Sequence, residues 1–217
     1  MDQIIDKITY ALASQRRESI AQEAHYELTG YKRPIAKVIL ENPPKDLREG
    51  GVCLLLYRKD GVWHIPLIKR TPYTGVHSAQ ISFPGGRREV QDQNLQETAF
   101  RETEEEIGVN RSRIQAIGEL SSVYIPPSSF LVSPHIAMLS ERPSFRVDPK
   151  EVDFVMEVPF AQTFLNAMIH EELVTKSGGN TSLKVNAFSF QGEVIWGATA
   201  MVINELVHLA REYEIPL

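Results

Sequence analysis

Between Gly85-Gly86 and Val109 this chain carries a segment that fits few surroundings, because its helix has two adjoining faces of opposite character. Phe83-Pro84-Gly85-Gly86 is followed, after a spacer, by Arg101-Glu102-Thr103-Glu104-Glu105-Glu106-Ile107-Gly108-Val109. At 100° per residue, Glu102, Glu105 and Glu106 fall within about 100° of one another, and Ala99, Phe100, Thr103 and Ile107 form a neighbouring, mostly apolar stripe. One face must pack on a core while the next carries charge. Glu102 and Glu106, at i,i+4, repel by roughly 0.2–0.5 kcal/mol, Glu105 adds to this, and Arg101 is the only cation close by in sequence. A bound divalent cation removes that repulsion. The segment therefore points to a metal site facing a phosphate ester, with a glycine turn that lets the backbone approach.

The rest of the chain narrows what such a site serves. With 217 residues there is enough chain for one domain with a full core, and too little for two of ordinary size. We divide it into an N-terminal helix and connector, residues 1–48, and a main domain, residues 49–217. The 23 basic and 28 acidic residues leave a net charge of −5, which offers no positive field for a nucleic-acid polymer. Cys53 stands alone in Val52-Cys53-Leu54-Leu55-Leu56, so the chain forms no internal disulfide and the thiol reads as a buried structural group. The first residues lack a basic leader, and no apolar run approaches the roughly 18 residues of a membrane span. A cytoplasmic protein without membrane contact is expected.

The order of elements can be read from periodicity and breakers. Apolar residues recur at helical spacing from Asp2 to about Glu27, and residues 32–51, with Pro34, Pro43 and Pro44, read as an extended connector. That helix is expected to dock on its own domain or across a homodimer. Residues 51–57 and 62–69 flank Lys59-Asp60-Gly61, a strong hairpin signal. A loop with Pro72, Gly75 and His77 leads to a short strand at 80–83, the glycine turn, and a helix over 95–107 that Gly108 can cap. Strands are expected at 114–124 and 131–139, a short helix at 160–168, a hairpin at 188–196 and a last amphipathic helix at 198–211. Strands interleaved with three or four helices predict an α/β (α+β) fold, a mixed sheet between helical layers.

At this point the residues resemble the Nudix hydrolase superfamily, whose signature is a glycine, a spacer, then Arg-Glu, an apolar residue, any residue, Glu-Glu, any residue, Gly and an apolar residue. Residues 101–109 match that half of the box, with Thr103 where an aliphatic is commoner. The spacer from Gly86 is one residue longer than the commonest, and Asp92 stands where a glutamate is expected. This is similar to the coenzyme A pyrophosphatase branch, as are the lead Pro66-Leu67-Ile68-Lys69-Arg70-Thr71-Pro72, then residues 77–86, and the later Ile195-Trp196-Gly197-Ala198-Thr199-Ala200. The chain departs from the branch at Gly75, usually arginine, at Ala79, usually glycine, and at Ile68, usually threonine.

The resemblance implies a Nudix-type α/β/α sandwich with a mixed sheet, and a water attack on the pyrophosphate of a small nucleoside diphosphate derivative, coenzyme A or its thioesters in the first instance. The cofactor is Mg²⁺ or Mn²⁺, which bind through a few carboxylates and the substrate's phosphates. Lying at i, i+3 and i+4, Glu102, Glu105 and Glu106 can converge on one or two ions. Glu105 and Glu106 are the first choice of ligand, and Glu102 is either a ligand or the general base. The counterpart of Arg101 in the superfamily orients the box carboxylates. Gly85 and Gly86 let backbone groups reach phosphate or metal, and Glu151 is the candidate acid from outside the box. Arg70 is divided between a surface ion pair and a phosphate contact, and His77 between a loop hydrogen bond and the substrate. Glu97 is expected to pair with Arg101, Thr98 to bond back to its helix, and Glu104 to be solvated. Two other readings stand beside this one: a Nudix hydrolase acting on ADP-ribose, dinucleotides or nucleoside triphosphates, and a non-catalytic nucleotide-binding Nudix module. The retained Glu102, Glu105 and Glu106 count against the latter.

Overall fold

Strand β1 (Arg48–Lys59) is the axis on which the rest is assembled. The computed structural model describes residues 2–30, 36–72, 80–175 and 182–217. Alternate residues of β1 point to opposite sides of the sheet, as the period of two requires. Cys53, Leu55 and Tyr57 join Ala99 and Ile107 on one side, and Leu54 and Leu56 join Ile8, Ile20 and Leu206 on the other. A strand buried on both faces reads as a continuous apolar run, and 53–57 is one.

β2 (Val62–Arg70) returns antiparallel from β1, with Lys59 opposite Val62. The turn between them holds Asp60 at φ 51° and Gly61 at φ 81°, the two positive angles that match the twist of a tight hairpin. β3 (Ile81–Ser82) and β8 (Val152–Pro159) pair with β2, and β4 (Gly85–Arg87) pairs antiparallel with β1. On the other edge of β1 lies β7 (Phe130–Met138), running parallel to it from Arg48 opposite Phe130 to Leu56 opposite Met138. β5 (Gln115–Glu119) and β6 (Val123–Ile125) pair antiparallel with β7, giving a mixed sheet. A second sheet has β9 (His170–Thr175), β10 (Ser182–Phe190) and β11 (Glu193–Ile195).

One helical layer is α4 (Leu95–Ile107), and the opposite layer is α1 (Asp2–Ala13), α2 (Arg17–Thr29) and α5 (Gly197–Glu212). Polar side chains fasten the two ends of the chain together in that layer. The Asn204 amide donates to Ala24 O at 2.8 Å and to Glu27 Oε2 at 2.9 Å, and the buried Glu205 carboxylate accepts from Ser121 N at 3.0 Å. No helix of the described residues is long and apolar enough to cross a membrane.

Several expected elements take a different form. The N-terminal helix is two helices, because at Ser14 the backbone turns and the Ser14 hydroxyl accepts from Arg16 N, a local bond that competes with the helical ladder. The connector is not extended throughout: residues 36–41 form a short helix, α3 (Ala36–Glu41), with none of its residues buried. The helix expected over 160–168 contracts to a single π turn over Ala161–Leu165, where Phe160 and Phe164 stack edge-on and Phe164 does the same with Phe188. β8 and β9 had no clear signal; β9 is largely exposed and polar.

Candidate functional site

α4 owes its start to Asn94, whose side chain accepts from Glu97 N at 2.9 Å, and its end to Gly108 in the left-handed region at φ 73°. These caps set the phase in which the helix presents its residues. Glu97 takes part in the start, accepting from Gln93 N at 2.9 Å, and does not pair with Arg101 as expected. The apolar stripe packs on β1: Ala99 and Ile107 are fully buried. Thr103 replaces the usual aliphatic by donating its hydroxyl to Ala99 O at 2.6 Å. It also faces Cys53, whose thiol is pushed up to about 12 by burial; this thiol is structural, not reactive.

Arg101 lies buried under the carboxylate face with every N–H donor used. Nε and Nη2 grip Asp92 through Oδ1 and Oδ2 at 3.0 Å each, Nη1 donates to Glu102 Oε1 at 3.0 Å and Glu105 Oε2 at 2.9 Å, and Nη2 also reaches Arg87 O at 3.2 Å. The guanidinium holds the Asp92 carboxyl far below the usual carboxylate range, despite the opposing effect of burial. Glu89 N and the Thr98 hydroxyl complete the ring around Asp92 Oδ2, both at 2.9 Å. Thr98 also bonds back to Asn94 O at 3.3 Å, so both readings of its hydroxyl are realised. Sequence reasoning noted Asp92 only as a departure from glutamate and missed that it anchors Arg101; its place six residues after Gly86 was the available signal.

Three carboxylates converge beside this scaffold. Glu102, Glu106 and Glu151 each offer an oxygen within 4.8 Å of the others. Glu151 arrives from the turn before β8, where Thr71 N donates to Glu151 O at 2.9 Å and where the β2–β8 register shifts, Lys69 facing Phe154 and Arg70 facing Val152 with Asp153 of β8 between them. Glu106 is 1% exposed. Burial raises its pKa to about 7, against the lowering by Arg70 and by the Gly85 amide, with Glu102 and Glu151 pushing in the same direction as burial. Burial likewise raises Glu102, opposed by Arg101 and assisted by Glu105 and Glu151. Glu105 has its carboxylate more than half exposed and on Arg101, outside the convergent trio. Glu104 is at the solvated position, paired with Arg111 at the surface.

The glycine turn closes the site from the sheet side. Gly85 sits at φ 150°, where a Cβ would lie 2.4 Å from Gly51 O, and its amide donates to Glu106 Oε2 at 2.8 Å. At Gly86 a Cβ would come 2.4 Å from Glu102 Oε1, so only glycine leaves the Glu102 carboxylate its space. Arg70 is not a detached surface residue: Nη1 lies 3.0 Å from Glu106 Oε1 and Nη2 3.7 Å from Glu151 Oε2. His77, with Gly75 and Ala79, falls outside the described residues. Trp196 provides no side-chain cap to α5, and Thr199 donates to Ile81 O at 3.1 Å, tying the start of α5 to β3.

A divalent cation fits these residues. The donor set is all carboxylate oxygen, as hard cations prefer, and among the described residues the buried Glu106 Oε1 accepts no hydrogen bond, although the Arg70 guanidinium lies 3.0 Å away.

Residues 47–174 match the family described as NUDIX domain. A protein of Photorhabdus laumondii subsp. laumondii named uncharacterized Nudix hydrolase NudL is 30% identical over 171 residues, covering 77% of this chain and 89% of its own. The protein of that name from Yersinia enterocolitica is 29% identical over 140 residues, 64% of this chain and 70% of its own. Among solved structures, a MutT/nudix family protein from Enterococcus faecalis aligns with a TM-score of 0.48 at 15% identity, over 92% of this chain and 74% of that one. A C. elegans Ap4A hydrolase in a binary complex aligns at 0.45 and 13% identity, over 54% and 82%.

Proposed function

This chain belongs to the Nudix hydrolases, and from that premise we propose that it is a cytoplasmic, Mg²⁺- or Mn²⁺-dependent pyrophosphohydrolase cleaving coenzyme A or its thioesters to 3′,5′-ADP and 4′-phosphopantetheine. The observation that carries the chemistry is the convergence of Glu102, Glu106 and Glu151 within 4.8 Å beside the Gly85-Gly86 turn. These three would hold the ion, with Glu105 and the Gly86 backbone bordering it. When bound, the ion neutralises the pyrophosphate and makes water a competent nucleophile near neutral pH. The chain's own residues do the positioning. Arg101, immobilised on Asp92, fixes Glu102 through Oε1 and leaves Oε2 to take either the cation or the proton of the attacking water. Water adds to one phosphorus and the anhydride P–O bond breaks. The leaving phosphate carries away the electron pair.

Support for coenzyme A comes from the lead into Phe83-Pro84-Gly85-Gly86 and from residues 195–200. These two segments touch, since Thr199 bonds to Ile81. The threonine-to-isoleucine departure at Ile68 falls on a fully buried position of β2, in the core cluster with Cys53, Leu55 and Tyr57. Gly75 in place of arginine favours a second reading, the same reaction on ADP-ribose, a dinucleotide or a nucleoside triphosphate.

Incubation with coenzyme A, ADP-ribose, diadenosine polyphosphates and nucleoside triphosphates, with Mg²⁺ or Mn²⁺ and with chelator, followed by mass analysis of products, decides between them. Metal-dependent 3′,5′-ADP and 4′-phosphopantetheine are expected. Cleavage of another substrate alone keeps the Nudix chemistry and overturns coenzyme A; no cleavage of any favours a nucleotide-binding module.

A further inference from the structure

Two arginines face the same carboxylates, and they are held very differently. Arg101 has all its donors on acceptors between 2.9 and 3.2 Å. Among the described residues the Arg70 side chain makes one long hydrogen bond, Nη1 to Gly85 O at 3.4 Å. Its other contacts are of charge: 3.0 Å to Glu106 Oε1 and 3.7 Å to Glu151 Oε2. At 3.0 Å the distance to Glu106 is short enough for a hydrogen bond, yet Oε1 accepts none, so the guanidinium faces the oxygen without being aimed at it. A dedicated arginine–carboxylate pair is forked and parallel, as Arg101 is on Asp92. Arg70 is not.

We propose that Arg70 is an exchangeable countercharge: its guanidinium and the divalent cation are alternative partners of Glu106 and Glu151, and cation binding releases Arg70 to pair with a phosphate of the substrate. This rests on the metal reading above. Glu106 Oε2 already accepts from the Gly85 amide, which leaves Oε1, the oxygen Arg70 confronts, for an ion, and two cations on one buried oxygen repel. Three ionised carboxylates carry −3; one guanidinium beside them leaves −2, and a divalent ion in its place leaves −1, so the exchange lowers the residual charge of the cluster. The backbone around Arg70 stays in place during such an exchange. Its amide is bound to Gln80 O at 3.2 Å, and the next residue, Thr71, is bound to Glu151 O at 2.9 Å. Only the side chain, about one quarter exposed, has to turn outward. The exchange also gives the site an order: the arginine becomes free for phosphate only after the carboxylates are filled.

The test follows the arginine Nε–H signals of the wild-type protein by ¹⁵N NMR during a Mg²⁺ titration, with the Arg70 peak assigned by its loss in Arg70→Lys, and measures Mn²⁺ affinity by EPR in wild type and Arg70→Ala. The Arg70 signal is expected to shift with the midpoint of Mg²⁺ binding while that of Arg101 stays fixed, and Arg70→Ala to bind Mn²⁺ about threefold tighter, the scale of a partly exposed ion pair. An Arg70 signal that does not move although EPR competition shows the site filled with Mg²⁺ overturns the exchange, as does an alanine variant that binds Mn²⁺ no tighter. If neither protein binds Mn²⁺, the metal reading itself falls and the exchange with it, an outcome distinct from the first two.

Discussion

Replacing Asp92 by Asn tests whether the site is carried by the clamp beneath it. Asp92 accepts from Arg101 Nε on Oδ1 and from Arg101 Nη2, Glu89 N and the Thr98 hydroxyl on Oδ2. An asparagine has one acceptor oxygen and one NH₂. If the oxygen takes the Oδ2 place, its NH₂ meets Arg101 Nε–H, donor against donor; in the other orientation it meets three donors. Both groups are buried, and depriving one partner of a buried pair costs 3–5 kcal/mol in general. Arg101 retains Glu102, Glu105 and Arg87 O, so the lower end, about 3 kcal/mol, is expected. With a urea m-value of about 2 kcal/mol/M for a chain of this size, the unfolding midpoint should fall by about 1.5 M. The pH dependence has a definite sign. Asp92 is depressed in the folded state, so its contribution is complete above the unfolded value of about 3.9 and is lost as pH falls toward the folded value, by about 1.4 kcal/mol per pH unit. The gap between wild type and variant is therefore constant at neutral pH and narrows below about pH 4. A midpoint change under about 0.3 M at pH 7, or a gap that does not narrow in acid, would refute the reasoning.

Gly86→Ala drives a Cβ toward Glu102 Oε1, so the carboxylate must turn away. Mn²⁺ affinity measured by EPR should weaken by about tenfold, with stability within about 1 kcal/mol of wild type; unchanged affinity removes Glu102 from the site. Saturating Mg²⁺ at about 100 times Kd should stabilise wild type by about 2.7 kcal/mol in urea unfolding. Glu106→Gln should abolish that increment while leaving the metal-free protein no less stable, because a desolvated carboxylate beside two others is removed. Cys53, with its thiol pushed up to about 12, should resist a thiol reagent at pH 8 in the folded protein and react fully in urea; rapid native labelling would show that β1 opens.

The carboxylate helix, its Gly108 end and its two faces were legible in the amino-acid order because each is set within a dozen residues; the Asn94 cap was equally local but was not read. Asn94 and Gly108 fix where α4 starts and stops, and the 3.6-residue period decides which side chains share a face. The Asp60-Gly61 hairpin is local in the same sense: two positive φ angles suffice. β8 escaped because its alternation is diluted by exposed Asp153 and Phe154, and its pairing with β2 joins residues some ninety positions apart. β9 escaped because a mostly exposed strand has no apolar period to read.

By itself, then, the amino-acid order determined the family, the mixed α/β sandwich, and the carboxylates and glycines from which a cation site is built, since motif spacing and helical phase are properties of the chain. Which of those carboxylates meet was decided by tertiary structure alone. Glu151 reaches Glu102 and Glu106 from the turn before β8, which is tied to the chain beyond β2 by the Thr71 amide on Glu151 O. Glu105, one residue from Glu106, is drawn aside because Arg101 has a donor left for it. Asp92 matters because it lies against Arg101, nine residues away in the chain. Distances of a few ångströms between carboxylates depend on packing across strands and loops, and no local propensity encodes them.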